Sequence, residues 1–248
     1  MSPTVVTAPI APVAPTPVGV AGSWAMKFSD EFNGTALNTT TWQPGWFGSG
    51  ITPPVNSAEK QCFDARQATV SGGALHLALV ARALTCGGVK RSYASGMVTS
   101  NPDALGAGKG YQFTNGVVEY RVFIPSDAAG RCANWPAVWS NGQNWPTTGE
   151  IDTYECLSSS ASWHLHSDLA GKASDGPGAN VVGAYTGWHT FSSNWQPGSV
   201  TFYFDGKAVG SHAFTVPSPH YLIMNNASAS TTPLPADMLV DYVRVWQH

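Results

Sequence analysis

The sequence predicts an all-β fold, a jelly-roll sandwich of two antiparallel sheets. Short runs of residues that alternate between apolar and polar side chains recur along the chain, which is typical of half-buried strands. The 26 Gly and 18 Pro, with Asn and Asp, separate these runs as turn residues do. We find no convincing amphipathic helix of ten or more residues and no internal repeat. Many short strands joined by such turns favour a sandwich or a barrel.

Four runs are the clearest strand candidates. They cover residues 74–80, 116–124, 200–204 and 238–246. Asp205-Gly206 follows the third run directly and is a strong turn signal. We therefore expect residues 207–210 to return as the second strand of a hairpin.

The chain divides into a short tail and one domain. Residues 1–22 are rich in Pro, Ala, Thr and Val, which indicates an extended linker or a mature amino-terminal tail. They lack the positively charged start and long apolar core of a signal peptide, so we expect that such a peptide was removed before Met1. Residues 23–248 fit a single domain. No run of eighteen apolar residues predicts a membrane span.

The composition favours an uncharged partner. Only 11% of the residues are charged, against about 25% in average soluble proteins. A net charge of −3 without a basic patch argues against nucleic-acid binding. Ten Trp and eight Tyr supply flat apolar faces with polar edges, which suit neutral sugar rings. A part of these aromatic side chains will instead fill the core.

The four cysteines fit no metal-binding spacing. An even number in a chain of secreted character suggests two disulfides, although four cysteines allow three pairings. Proximity in sequence favours Cys62–Cys86 and Cys132–Cys156. The alternative is four reduced, buried cysteines.

Three acidic residues lie within six positions, at Glu150, Asp152 and Glu155. Alternation along a strand places Glu150 and Asp152 on one face and Glu155 on the other. One extra residue, taken up as a β-bulge, would return Glu155 to the face of the other two. Two carboxylates that flank a bond are the chemistry of glycoside hydrolysis. The alternative is a solvated acidic turn, which the interleaved apolar Ile151 and Tyr154 disfavour.

Several ordered blocks together carry a resemblance to a known family. The hexapeptide Glu-x-Asp-x-x-Glu at 150–155 is joined by blocks at 28–34, 93–97, 116–121, 135–139, 145–150, 188–190, 200–206 and 240–245. In this order they resemble glycoside hydrolase family 16, in its laminarinase-like branch with the bulged motif. The resemblance covers nearly everything after the proline-rich tail.

The resemblance implies a concanavalin-like jelly roll with a substrate groove on its concave face. It also implies hydrolysis with retention of anomeric configuration and no cofactor for catalysis. Glu150 would be the nucleophile and Glu155 the acid and base. Asp152 would tune both through its charge and hydrogen bonds.

We expect the protein to be a secreted, monomeric endo-β-glucanase that cuts β-1,3 or mixed β-1,3/1,4 glucan. The alternatives are a hydrolase or transglycosylase of the same family that acts on another polysaccharide, such as a galactan, and a non-catalytic glycan-binding sandwich.

The resemblance also implies residues that bind substrate or metal. The expected sugar contacts are Trp135, Trp145, Asn56, Arg66, His166 and Asn225, with His164 as the rival of His166, and Trp139 is expected in the core. A structural calcium site is expected on the convex side, built from Glu31, the carbonyl of Gly73 and Asp241, because hard oxygen ligands suit calcium.

Overall fold

A computed structural model of the protein describes residues 15–48, 50–168 and 186–248, and the backbone of residues 174–180. The described residues form nineteen strands, a four-residue helix and one short 3₁₀ turn. The strands are β1 (Ala25–Asp30), β2 (Gln43–Pro44), β3 (Ile51–Thr52), β4 (Cys62–Asp64), β5 (Ala68–Ser71), β6 (Ala74–Cys86), β7 (Val89–Ser95), β8 (Met97–Thr99), β9 (Gln112–Phe113), β10 (Gly116–Ile124), β11 (Trp135–Gly142), β12 (Glu150–Leu157), β13 (Ser160–Ser167), β14 (Ser174–Asn180), β15 (Gly187–Gln196), β16 (Gly198–Phe204), β17 (Lys207–Phe214), β18 (His220–Ala227) and β19 (Ala236–Gln247). The helix α1 is Pro102–Leu105, and the 3₁₀ turn is Ala65–Gln67.

The strands form two sheets, so the predicted all-β sandwich is confirmed. The first sheet has the order β17-β16-β15-β10-β19-β6-β7-β4-β3, with β1 on β19 and β5 on β6. The second sheet has the order β14-β13-β12-β11-β18-β8-β2, with β9 on β18. The pairing is antiparallel except between β4 and β7, which is parallel. The first sheet is therefore mixed at this one pair, a departure from the prediction of purely antiparallel sheets.

The four runs that the sequence analysis predicted as strands all lie in strands of the first sheet. The run at 116–124 is β10, and the runs at 74–80, 200–204 and 238–246 lie inside β6, β16 and β19. The predicted turn at Asp205-Gly206 joins β16 to β17, which pair antiparallel as a hairpin. Alternation in β10 sends Val118 and Tyr120 into the core between the sheets.

The two sheets contact each other through large aromatic side chains. Tyr154 on β12 packs on Phe191 of β15, with ring centroids 4.3 Å apart. Trp163 on β13 stacks on Phe202 of β16 at 4.4 Å. Aromatic pairs of this kind contribute about 0.5–1.5 kcal/mol beyond the area that they bury. These contacts fix β12 and β13, whose other face looks away from the core.

The described end of the tail lies on the outer face of the first sheet. The backbone N–H of Val18 donates to Oε2 of Glu119 at 2.7 Å, and Nε1 of Trp246 donates to the carbonyl of Pro15 at 2.7 Å. Val20 packs with Val117 and Trp246 in a small apolar cluster of its own. Burial under this cover raises the pKa of Glu119. The domain boundary at residue 23 stays a prediction.

Both expected disulfides are present. Cys62 bonds to Cys86 and Cys132 bonds to Cys156, and each closes a sequence separation of 24. Cys156 follows Glu155 directly in β12, so the second disulfide holds the end of the acidic strand. Among the described residues, no helix has the length and apolarity needed to cross a membrane.

Candidate active site

A β-bulge brings the three acids of β12 to one face. Glu155 pairs with Ala137 on β11 and with Ser162 on β13, while Asp152 pairs with Trp139 and with His164. Two residues of β12 therefore lie opposite one residue of each neighbour. Bulges of this kind re-aim side chains next to active sites. The bulge that the sequence predicted is confirmed.

The two residues inside the bulge point to the core. Thr153 Oγ1 lies 2.9 Å from Ser193 Oγ on the opposite sheet, and Tyr154 is fully buried against Phe191. The hydroxyl pair satisfies the polar group of Thr153 inside the sandwich. Burial of these two side chains is what allows the acids on either side of them to share the outer face.

The acids form part of the wall of a cleft with a volume of about 800 Å³. This volume lies within the roughly 300–1,000 Å³ that is common for ligand sites. The cleft is lined by Trp46, Val55, Asn56, Trp135, Trp139, Asn141, Trp145, Glu150, Asp152, Glu155, Leu157, His164 and His166. Aromatic faces beside a few convergent polar groups are the usual composition of a sugar site.

The acids are close enough to affect each other's charge. Burial raises the pKa of Glu150 well above its usual range, and the negative charge of Asp152 raises it further. Burial likewise raises the pKa of Asp152, with the charge of Glu155 as the second cause. A hydrogen bond joins Glu150 and Asp152, and two carboxyl groups can share one only if one of them holds a proton. The cluster therefore carries less than three negative charges.

Glu155 has two further polar neighbours. Nε1 of Trp135 donates to its Oε2 at 2.7 Å, and Nδ1 of His164 lies 2.5 Å from its Oε1. The Glu155 side chain is only 10% exposed. Its carboxyl group is thus held in one orientation, which proton transfer to a positioned substrate atom requires.

Both candidate histidines face the cleft, because they are two residues apart on β13. Nε2 of His166 lies 3.1 Å from Oδ2 of Asp152 and 4.0 Å from Oε1 of Glu150. His164 instead contacts Glu155. Of the two, it is therefore His164 that lies beside Glu155, and His166 lies beside Asp152 and Glu150, so the choice between them as a sugar contact stays a prediction.

Carboxylate and imidazole atoms in the cleft also form two sets of a kind that could hold a metal ion. One set is Glu150, Asp152 and His166, and the other is Asp152, Glu155 and His164, with the ligand atoms of each set within 4.8 Å of one another. The donor chemistry suits zinc or copper better than calcium, because calcium prefers oxygen ligands only. Both sets coincide with the acids that the hydrolytic chemistry needs.

Trp139 is buried, as expected, in an apolar cluster that includes Phe63 and Ile223, and it also lines the floor of the cleft. Nothing interrupts the alternation of β11 between Trp135 and Trp139, so both face outward. Trp139 is only 6% exposed because Trp46 stacks on it, with ring centroids 5.4 Å apart. Trp46 comes from the loop after β2 and was missed by sequence reasoning, since no local pattern indicates this long-range contact.

Asn225 supports Trp139 from below. Its Oδ1 accepts a hydrogen bond from Nε1 of Trp139 at 2.7 Å, and its side chain is buried. It does not belong to the residues that line the cleft, so the expected sugar contact is replaced by a bond that orients the indole.

Asn141 is a second residue that sequence reasoning missed. It pairs with Glu150 across β11 and β12, lines the cleft and is 4% exposed. Among the residues that the structure describes, its Oδ1 has no hydrogen-bond partner. A buried amide oxygen without a partner costs about 1–3 kcal/mol, which a substrate hydroxyl could offset.

Asn56 lines the cleft as expected, at the exposed turn between β3 and β4. The buried Glu59 holds this turn, because Oε1 accepts from the backbone N–H of Asn56 at 3.4 Å and Oε2 accepts from Nε2 of Gln61 at 2.6 Å. Burial raises the pKa of Glu59 to about 7. Oε1 of Gln61 accepts in turn from the N–H of Ser228 at 2.9 Å, which links this turn to the loop after β18.

The structure places Arg66 outside the set of residues that line the cleft. Its guanidinium bonds to both carboxylate oxygens of Asp64, at 3.1 and 3.0 Å, and its side chain is 60% exposed. Asp64 also bonds to Arg82 at 2.6 Å. The ion pair with a residue two positions earlier holds Arg66 at the surface, and this geometry does not support the expected sugar contact.

Trp145 stands at the rim of the cleft on the loop between β11 and β12, with 51% of its surface exposed. His220 anchors this loop from the core: Nε2 lies 2.7 Å from the carbonyl of Thr148, and Nδ1 lies 3.1 Å from Oγ of Ser140. Because a carbonyl only accepts, Nε2 carries the proton and Nδ1 accepts from the hydroxyl. The loop ends at Gly149, which has φ +72° and leaves no space for a Cβ atom beside Phe214.

The acids expected to bind calcium are both paired with arginines. Oε1 and Oε2 of Glu31 accept from Arg244 at 2.8 and 2.7 Å, and Oδ2 of Asp241 accepts from Arg121 at 2.6 Å. Gly73 has the left-handed backbone of a hairpin turn, with φ +79°. A calcium ion at this position would have to compete with two guanidinium groups, and the site stays a prediction.

Comparison with known proteins supports the family resemblance. A family model described as XgeA-like, catalytic GH16 domain matches residues 117–181, which include all three acids. The chain is 29% identical over 163 residues to the keratan-sulfate endo-1,4-β-galactosidase of Sphingobacterium multivorum, which covers 55% of this chain and 38% of that protein. It is 26% identical over 281 aligned positions to the glucan endo-1,3-β-glucosidase A1 of Niallia circulans, which covers 94% of this chain and 39% of that protein.

A solved structure shows the same fold. The endo-β-1,3-glucanase of Pyrococcus furiosus superposes with a TM-score of 0.75 at 25% identity, over 90% of this chain and 94% of the other. The chain thus spans about two fifths of the length of the two relatives above and nearly the full length of this structure.

Proposed function

We propose, from the resemblance to glycoside hydrolase family 16 that the comparisons support, that this chain is a retaining endo-β-glucanase. The observation that carries the proposal is the bulge in β12, which places Glu150, Asp152 and Glu155 on one wall of an aromatic cleft. The proposed substrate is a β-1,3 or mixed β-1,3/1,4 glucan.

In the first step, a carboxylate oxygen of Glu150 attacks the anomeric carbon. The bond between that carbon and the glycosidic oxygen breaks, and Glu155 gives its proton to the departing oxygen. The products are a shortened glucan with a free hydroxyl and a glycosyl ester of Glu150. The hydrogen bond between Glu150 and Asp152 works to raise the pKa of Glu150 and to lower the pKa of Asp152, which favours the shared proton on Glu150 in the free protein. The attack therefore requires that this proton pass to Asp152, which leaves Glu150 ionised.

In the second step, water attacks the same carbon from the side that the leaving group occupied. Glu155, now ionised, takes one proton from the water, and the ester bond to Glu150 breaks. Two inversions at one carbon retain its configuration. The contacts of Glu155 with Trp135 and His164 hold the carboxylate that this step needs.

The charge of the cleft supports a neutral substrate. Of the residues described at its wall, none is Lys or Arg, whereas three are acids. A sulfated or otherwise anionic polysaccharide would meet repulsion there. Trp46, which stacks on the buried Trp139 and lines the cleft, offers an apolar face for a pyranose ring instead.

The second candidate is hydrolysis of a neutral β-galactan. The similarity to an endo-1,4-β-galactosidase over 163 residues favours it as the alternative. Transglycosylation, with a sugar hydroxyl in place of water, would use the same acids. Secretion and a monomeric state belong to the proposal as well, as does the absence of a catalytic cofactor.

Release of reducing ends from laminarin, lichenan, xyloglucan, agarose and galactan tests the substrate. Laminarin or lichenan should be cut, with oligosaccharides as early products of an endo-acting enzyme. Products longer than a defined starting oligosaccharide would indicate transglycosylation. If galactan alone is cut, the second candidate replaces the first.

Azide rescue tests the roles of the two glutamates. In Glu150→Ala, azide should attack the anomeric carbon directly and give a glycosyl azide of inverted configuration. In Glu155→Ala, azide should capture the glycosyl ester of Glu150 and give the retained configuration, provided that the substrate has a good leaving group. Exchange of these two outcomes would reverse the assignment. Binding without any hydrolysis in the parent protein would favour the glycan-binding alternative.

A further inference from the structure

A second cavity, the side pocket, adjoins the cleft at one end of β12. Its volume is about 390 Å³, and it shares Trp135 and Leu157 with the cleft. Its walls come from the three connections at this end of the sandwich, which are residues 125–134, 158–159 and 228–235. The volume lies at the lower end of the range for small-molecule sites.

The lining of the side pocket is polar but neutral. The hydroxyl residues Ser158, Ser228, Ser230 and Thr232 line it together with the apolar Leu234, which is 43% exposed. Oγ of Ser228 accepts from the N–H of Ser230 at 3.1 Å, and Oγ of Ser230 accepts from the N–H of Thr232 at 3.0 Å, so local hydrogen bonds fix this wall. A wall of hydroxyls next to an apolar surface and an indole matches the two kinds of surface that a sugar ring presents.

Asp127 is the one charged residue described at this pocket, and its carboxylate is already engaged. It accepts from Nε of Arg131 at 2.9 Å and from the backbone N–H groups of Ala129 and Arg131 at 2.9 and 3.0 Å. The pocket therefore offers no free cation to an anionic ligand and no free carboxylate to a cationic one. Both kinds of charged ligand are disfavoured.

The walls of the side pocket are fixed to each other. Asn134 clamps Leu234 from both sides, with Nδ2 donating to its carbonyl at 2.8 Å and Oδ1 accepting from its N–H at 3.0 Å. The disulfide Cys132–Cys156 ties the first wall to β12. A pocket that is rigid before binding loses little entropy on binding.

We propose that the side pocket binds one neutral sugar unit of a polysaccharide whose main chain lies in the cleft. Trp135, which both cavities share, would contact sugar on the cleft side and border the bound unit on the other. The unit is either a branch on the main chain or a further unit of the main chain itself. The inference rests on the proposed function for the identity of the main chain.

Amide chemical shifts in Glu150→Gln, which should not turn over its ligand, test the pocket directly. The probes are a linear β-1,3-gluco-oligosaccharide, the same oligosaccharide with single glucosyl branches and a linear galacto-oligosaccharide. We expect the amides of Ser228, Ser230 and Thr232 to shift to saturation with at least one probe. A response to the branched probe alone identifies a branch, and a response to a linear probe identifies the main chain.

Ala229→Trp and Thr231→Trp form a matched pair in this titration. Ala229 lines the side pocket and its neighbour Thr231 does not, although both are exposed. Ala229→Trp should abolish the shifts and lower kcat/KM on the polymer about tenfold, which corresponds to the loss of about 1.4 kcal/mol. Thr231→Trp should keep the shifts and stay within about twofold of the parent in kcat/KM.

The two proposals fail in different ways. The side pocket is not a sugar site if the parent protein cuts glucan but no probe shifts these amides. The same holds if both tryptophan variants behave alike. In either case the proposed hydrolysis of glucan is unaffected. If the parent cuts none of the polysaccharides while the amides respond to a probe and Ala229→Trp abolishes the response, the sugar site remains and the proposed hydrolysis is wrong.

Discussion

Nε1 of Trp135 donates a hydrogen bond of 2.7 Å to Oε2 of Glu155. The same indole forms a wall of both the cleft and the side pocket. The residue that orients the carboxyl group of Glu155 thus also separates the two cavities. Changes at Trp135 should affect proton transfer and substrate binding together.

Trp135→Phe tests this hydrogen bond with little loss of aromatic surface. Hydrogen bonds to charged groups contribute about 1.5–3 kcal/mol, so we expect kcat/KM on glucan to fall by one to two orders of magnitude, about 10- to 100-fold. Trp188→Phe is the control, because Trp188 lies on β15 of the other sheet and is 38% exposed. Equal losses in both variants would refute a specific role for the indole N–H.

The two disulfides give a second matched comparison. Each spans 24 positions, for which chain entropy predicts a stabilisation of about 3–4 kcal/mol. We expect Cys62→Ala/Cys86→Ala and Cys132→Ala/Cys156→Ala to lower the free energy of unfolding by similar amounts in denaturant titrations.

Catalysis should distinguish the two disulfide variants. Cys156 follows Glu155 directly, and a small displacement of a reacting group is costly. At a temperature where both variants are folded, we expect at least about tenfold lower kcat only when Cys132–Cys156 is missing. Full activity of that variant would show that β12 holds Glu155 without the disulfide.

His220 should make stability depend on pH. Burial lowers its pKa from 6.5 to about 4. Protonation of His220 is easier in the unfolded chain than in the folded protein, so acid favours unfolding. The part of the free energy of unfolding that depends on neutral His220 is fully present above pH 6.5 and is lost as the pH falls towards 4. This part amounts to about 3 kcal/mol.

His220→Gln keeps a donor for Thr148 but does not titrate. We expect the parent to lose about 3 kcal/mol of unfolding free energy relative to this variant between pH 7 and pH 4. Denaturant titrations at several pH values measure the difference, in which the other titrating groups cancel. Parallel curves for the two proteins would contradict the prediction.

Val18 tests whether the described end of the tail stabilises the domain. Val18→Pro removes the N–H that donates to Glu119, whereas Val18→Ala keeps it. We expect Val18→Pro to be less stable than Val18→Ala by about 1.5–3 kcal/mol. The melting temperatures of the two variants give the comparison, and equal values would mean that the contact contributes nothing.

The sequence was sufficient where a local pattern carries the structure. Along a regular strand Glu155 would face away from Glu150 and Asp152, and this mismatch predicted the bulge between Asp152 and Glu155. Proximity of the cysteines in the sequence predicted both disulfides. Strands such as β10 follow from alternation alone. Each of these depends on residues that are near in sequence or on a two-residue period.

Contacts between distant segments could not be predicted in this way. Trp139 is buried because Trp46, some ninety residues earlier, stacks on it. Glu119 lies in the middle of β10 on the outward face, and nothing in its neighbourhood indicates that Val18 covers it. Arg66 is held by Asp64, and an acid two positions before an arginine is too common in proteins to predict that the two side chains bond.

The register around the bulge allows the length of β12 to vary. In each of the neighbouring strands β11 and β13, a single residue lies opposite the two residues Thr153 and Tyr154. A chain shorter by Thr153 would therefore keep Glu155 opposite Ala137 and Ser162, with ordinary ladder pairing throughout. The strand β12 can gain or lose this single residue while Glu150 and Glu155 stay on the same side of the sheet.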